Sequence, residues 1–163
     1  MFAVDYAAEM IEVAKKRSYG EAINYQVADI YKLPFSDDYF DFIICLGVFQ
    51  DVERPLEAIQ EMRRTLKKDG LMIITTLNKF SLSFLFRRKK RSEIFLRKYN
   101  PYFLKKTFSK QGLYNVKLKG IYLTPFVFLT NLVLKLKLCR FFNLFFPVFI
   151  CLAHSFHLEG RKK

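Results

Sequence analysis

From Phe2 to Leu77 short apolar stretches alternate with helix-periodic ones, and that alternation admits few architectures. Phe2-Ala3-Val4 reads as a strand ending at Asp5. Residues 8–18 read as a helix with Met10, Val13 and Ala14 on one face and Gly20 just past its end. Residues 23–28 read as a second strand ending at Asp29, followed by a loop around Pro34. Residues 41–47, "DFIICLG", are nearly all apolar, which predicts a third strand buried on both faces. Pro55 then stands where a first helical position belongs, and Leu56, Ile59, Met62 and Leu66 recur at helical spacing. Lys67 and Lys68 are expected in the last turn, with Gly70 ending the helix. Residues 71–77 complete the series as a fourth buried strand. Strands joined by helical connections predict an α/β fold with a doubly wound, mostly parallel sheet.

Residues 79–163 are of another kind. Residues 1–78 carry 9 Lys/Arg against 13 Asp/Glu, whereas residues 79–163 carry 19 against 2. The reading is of two parts: the α/β half at 1–78, then a helical, basic and apolar cap at 79–163 that ends in strands of the same domain. A strand is expected over 116–122, after the turn at Gln111-Gly112, and another at "HSFHLEG". The run Arg87-Arg88-Lys89-Lys90-Arg91 lies beside Phe84, Leu85 and Phe86. It reads either as a solvated helix face or as a contact for anionic lipid head groups. Nucleic acid ranks behind both, since no recognised binding module accompanies the run. The uncharged stretches 120–134 and 141–153 hold 15 and 13 residues, short of the ~18 that span a bilayer. Cys45, Cys139 and Cys151 are widely spaced and no signal peptide is evident. A reduced, cytoplasmic setting with peripheral membrane contact is the expectation. His154 and His157 lack further ligands at suitable spacing, so no metal is expected.

Two carboxylates carry the chemistry. Asp5, at a strand's C-terminal tip, is placed either to accept hydrogen bonds from a ribose diol or to help open the next helix. Asp29 repeats that placement, facing either a nucleobase amino group or its own backbone in a turn.

The succession Asp5 and Met10, Asp29, Leu33-Pro34-Phe35, Asp37-Asp38, Phe40-Asp41 and Arg64-Thr65-Leu66-Lys67-Lys68-Asp69-Gly70 resembles the class I S-adenosylmethionine-dependent methyltransferases. The resemblance covers about residues 2–78 and implies a Rossmann-like fold with its cofactor half at 1–78. It implies S-adenosylmethionine as cofactor and methyl transfer to a small or lipid-like acceptor. By position it implies that Asp5 binds the ribose hydroxyls and that Tyr6 and Met10 pack by the adenine. Asp29 would hold the adenine amino group and Ile30 would line the ring. Cys45, Leu46 and Gly47 would lie beside the methionine moiety, and Gln50 would stand on the substrate side, where many relatives carry His. The family's Gly-rich turn has no counterpart among the six glycines. Counting back about 20 residues from Asp5 puts it before residue 1, so the sequence reads as N-terminally truncated or degenerate. A non-catalytic remnant serving as a basic membrane-surface or interaction module is the alternative expectation.

Overall fold

The computed structural model describes residues 1–17, 22–81, 96–121 and 155–163. The elements follow in the order β1 (Phe2–Asp5), α1 (Ala8–Arg17), β2 (Asn24–Val27), β3 (Phe40–Cys45), a 3₁₀ turn (Phe49–Asp51), α2 (Pro55–Thr65), β4 (Leu66–Asn78), β5 (Lys98–Tyr99), α3 (Pro101–Lys110), β6 (Leu113–Ile121) and β7 (Ser155–Lys162). Helices α1 and α2 serve as crossovers, and the strands they join, β1 with β2 and β3 with β4, pair in parallel. β7 inserts antiparallel between β4 and β6, giving the order β3-β4-β7-β6, with β5 pairing parallel to β4. This is the expected α/β class, with a mixed sheet on the C-terminal side.

The core lies on one face of the larger sheet. Along β4, Met72, Ile74, Thr76 and Asn78 are buried while Leu71, Ile73, Thr75 and Leu77 are half-buried, the period of two that one covered face imposes. Phe156 and Leu158 of β7 continue that face, and Ile59 and Met62 of α2 with Leu104 and Phe108 of α3 close over it. Each such side chain contributes roughly 1.5–3 kcal/mol when fully buried. Asn100 caps α3 by accepting hydrogen bonds from the amides of Tyr102 and Phe103 at 3.0 and 3.3 Å, and Pro101 takes its first position.

Two expectations are corrected. The first concerns burial: Phe42 and Ile44 of β3 are 46% and 53% exposed, and Phe2 and Val4 of β1 are also exposed. The apolar run of β3 therefore does not mark burial on both faces: Cys45 is buried and Ile43 packs on the core, while Phe42 and Ile44, which alternate with them, face outward. β1 and β2 form a sheet of their own, and no pairing among the described residues joins it to β3. What does link them is an aromatic cluster at the N-terminal end, where Phe2 meets Phe35, Tyr39 and Phe40 at ring separations of 5.1, 5.8 and 5.9 Å.

The second correction concerns the end of α2. The helix stops at Thr65, and Lys67, Lys68 and Gly70 belong to β4. Leu66 turns extended because its side chain is wholly buried and its backbone pairs with Phe40. Phe42 pairs next with Leu71, so residues 67–70 bulge from the ladder. Asp69 adopts φ 60° in that bulge, where Tyr114 donates to its Oδ1 at 2.7 Å and the Arg161 guanidinium donates to its carbonyl at 2.7 Å.

Candidate functional site

The sequence-predicted residues lie at or just beyond the C-terminal ends of β1, β2 and β3, with Met10 in α1 and Gln50 in the 3₁₀ turn. Asp5 and Asp29 leave adjacent parallel strands at the same end, since Asp5 pairs with Val27. Each carboxylate organises the turn behind its strand. Asp5 Oδ1 accepts from the Ala7 amide at 2.9 Å, and Asp29 Oδ1 accepts from the Tyr31 amide at 2.9 Å. Both local readings are thus realised. They leave acceptor capacity for a ligand, because a carboxylate offers about four lone-pair sites. Tyr6 and Met10 lie beyond Asp5 and are 79% and 56% exposed. Ile30 is half-buried and leans on the core.

At the tip of β3, Cys45 is buried in the core, and burial alone pushes its thiol up to about 12. Leu46 next to it is 62% exposed. Gly47 takes φ +69°, and a Cβ there would meet nothing within 4 Å among the described residues. Its amide donates to Thr75 Oγ1 of β4 at 2.9 Å, which fixes this turn over the neighbouring strand. Gln50 lies half-buried in the 3₁₀ turn, and its carbonyl accepts from the Arg97 amide at 2.8 Å.

Sequence reasoning missed the residues that tie these parts together. Tyr31 Oη accepts from the amides of Glu53 and Arg54 at 2.9 and 3.1 Å. Tyr99 donates its phenolic hydrogen to the Val52 carbonyl at 2.7 Å, and the Arg97 guanidinium pairs with Glu53 at 3.1 Å. Behind Asp29, Arg64 donates to the carbonyls of Leu33 and Phe35 and to the carboxylates of Asp37 and Glu61. The Leu33 amide in turn donates to Glu61 Oε1 at 2.8 Å. Arg64 holds the Glu61 carboxyl below its ordinary range, and the two carboxylates raise the guanidinium's own pKa. The signal for this in the sequence is the Glu-x-x-Arg spacing on α2, which puts both side chains on one face.

Two carboxylates at adjacent strand ends are acceptors able to take hydroxyl or amino hydrogens. The basic run at 87–91, His154 and the cap segments 82–95 and 122–154 lie outside the described residues. No helix among the described residues is long and apolar enough to cross a membrane.

Comparison with known proteins points the same way. Residues 1–74 match the model of a family described as a methyltransferase domain. The chain is 40% identical over 76 residues to a ubiquinone/menaquinone biosynthesis C-methyltransferase of Geotalea daltonii, covering 44% of this chain and 32% of that protein. It is 38% identical over 73 residues to a probable tRNA methyltransferase 9B of Mus musculus, covering 43% of this chain and 15% of the relative. The matched segment thus spans a third or less of these relatives. A SAM-dependent methyltransferase of Thermotoga maritima shares the fold with a TM-score of 0.71 at 19% identity, over 99% of this chain and 72% of that one. The family model spans Asp5, Asp29, Cys45 and Gly47, so residues 1–74 are similar to a methyltransferase domain, and the chain shares the fold of solved SAM-dependent methyltransferases.

Proposed function

We propose that this chain holds S-adenosylmethionine by its adenosine half across the ends of β1 and β2 and takes part in methyl transfer to a small or lipid-like acceptor. One observation carries the reading: Asp5 and Asp29 leave neighbouring parallel strands at the same end, each in a turn its own carboxylate organises. Asp5 would receive the ribose hydroxyls and Asp29 the adenine amino group, with Tyr6, Met10 and Ile30 around the ring. Cys45, Leu46 and Gly47 would lie along the methionine side, and Gln50 would face the acceptor. The cofactor, when bound, supplies a methyl group on a positively charged sulfur. The chain's own residues contribute binding and orientation, and in-line placement of a good nucleophile supplies much of the rate. Burial disfavours the Cys45 thiolate.

A lipid-like acceptor has two supports: the apolar, basic composition of residues 79–163 and the similarity to a protein named for ubiquinone/menaquinone biosynthesis. Contact of Arg87, Arg88, Lys89, Lys90 and Arg91 with an anionic membrane surface, in a cytoplasmic setting, belongs to the same proposal. The five-cation run also favours a second reading, a non-catalytic basic module at such a surface. Calorimetric titration of the 163-residue chain with S-adenosylmethionine separates the two. Enzymatic function predicts micromolar binding that Asp5→Ala and Asp29→Ala each weaken about tenfold or more. A wild-type chain that gives no binding, or one that both variants leave unchanged, overturns it.

A further inference from the structure

The Tyr31 side chain joins two loops that the proposed function assigns to opposite sides of the reaction. Its amide belongs to the Asp29 turn, where it donates to Asp29 Oδ1 at 2.9 Å. Its phenolic oxygen reaches across to the segment preceding α2 and accepts from two successive amides, Glu53 at 2.9 Å and Arg54 at 3.1 Å. Those amides sit at the start of α2, where Arg54 offers no side-chain cap and Pro55 has no N–H. The Arg54 guanidinium lies over the Tyr31 ring, 4.2 Å from its centre, and the ring packs on the core. The far edge of the same segment is pinned elsewhere, by the Arg97 amide on the Gln50 carbonyl and by the Tyr99 hydroxyl on the Val52 carbonyl. The segment carrying Gln50 is thus fastened to residues 97–99 on one side and to the Asp29 turn on the other. On the second side both hydrogen bonds fall on one oxygen atom, beside the contact of Arg54 with the ring.

We propose that Tyr31 is a positioning residue through which a ligand held at the Asp29 turn sets the 48–54 segment, and with it Gln50, on the acceptor side. The inference rests on the assignment of Asp29 to cofactor binding. A ligand that orders the Asp29 turn fixes the Tyr31 backbone, and the phenol carries that order to the Glu53 and Arg54 amides. Tyr31→Phe keeps the ring, its packing and the face under Arg54, and removes only the oxygen that takes both hydrogen bonds.

The test is amide hydrogen exchange of the full 163-residue chain with and without S-adenosylhomocysteine as the probe. In the wild-type chain the ligand slows exchange both at 29–33 and at Glu53 and Arg54. In Tyr31→Phe the ligand still slows exchange at 29–33, leaves Glu53 and Arg54 as they are without it, and binds about three- to tenfold more weakly. Arg54→Ala, which keeps the phenolic oxygen, retains the ligand's effect on both segments. A merely structural tyrosine gives a different result: Tyr31→Phe then speeds exchange at Glu53 and Arg54 equally with and without ligand, while the ligand's own effect there persists. That result overturns the inference and leaves the cofactor assignment standing. So does a wild-type chain protected at 29–33 and not at 53–54, which decides the matter even if the variant does not fold. No ligand effect at 29–33 in the wild-type chain overturns the cofactor assignment and the inference together.

Discussion

The thiol of Cys45 lies in the core at the tip of β3, and burial holds its pKa near 12. In a Cys139→Ser, Cys151→Ser background it should react with a disulfide reagent at pH 8 at least about 100-fold more slowly than in urea. Reaction at the unfolded rate would place the β3 tip outside the core. Cys45 illustrates what single residues disclose in a sequence. Its apolar neighbours put it at a strand end, but whether its side faces the core or the ligand depends on which face of the sheet the helices cover. Asp5 and Asp29 were legible because an acidic residue directly after an apolar stretch marks a strand tip. Tyr31 and Thr75 were not, because a hydroxyl's partners here are backbone amides 22, 23 and 28 residues away, and those carry no mark in the sequence.

Among the elements, α2 was legible at its start and not at its end. Pro55 and the apolar spacing announce the helix, while Lys67, Lys68 and Gly70 imitate a helix terminus. The competing influence is non-local: Phe40 and the buried Leu66 draw the chain into β4 one turn earlier, and Lys67 then pairs with Asp41 at 2.9 Å rather than with helix carbonyls. The face of α2 turned toward the Asp29 loop holds that loop through Glu61 and Arg64. Arg64→Ala removes the donors to two backbone carbonyls and leaves Glu61 without its cation. The expected loss is about 1–3 kcal/mol in urea unfolding, with faster exchange of the Leu33 amide. Arg64→Lys should recover only part of this, since an ammonium cannot span the same four partners. A loss below about 0.5 kcal/mol would show that the loop is held by its apolar contacts alone.

For the whole molecule, the α/β class and the order of elements followed from hydrophobic periodicity, whereas the division into two sheets did not. Period and polarity describe each strand separately; they do not say which edges meet. The β1–α1–β2 unit shares no strand pairing with β3 among the described residues, and exposed Phe2, Val4 and Val27 show how little of it is buried. It should open first. Native-state hydrogen exchange is expected to give residues 2–27 a lower opening free energy than β4 and β7, by about 2 kcal/mol or more. Equal values would mean one cooperative unit. The larger sheet has a different history written into it. β7 lies between β4 and β6, and Phe156 and Leu158 at its centre are almost wholly buried. A ribosome makes β4 and β6 well before it makes β7. While the chain is being synthesised, each of those strands must wait with one ladder of backbone hydrogen bonds unfilled, so the sheet's middle is assembled after its flanks. That interval, more than the finished fold, is when this chain is exposed to mispairing and most dependent on chaperones.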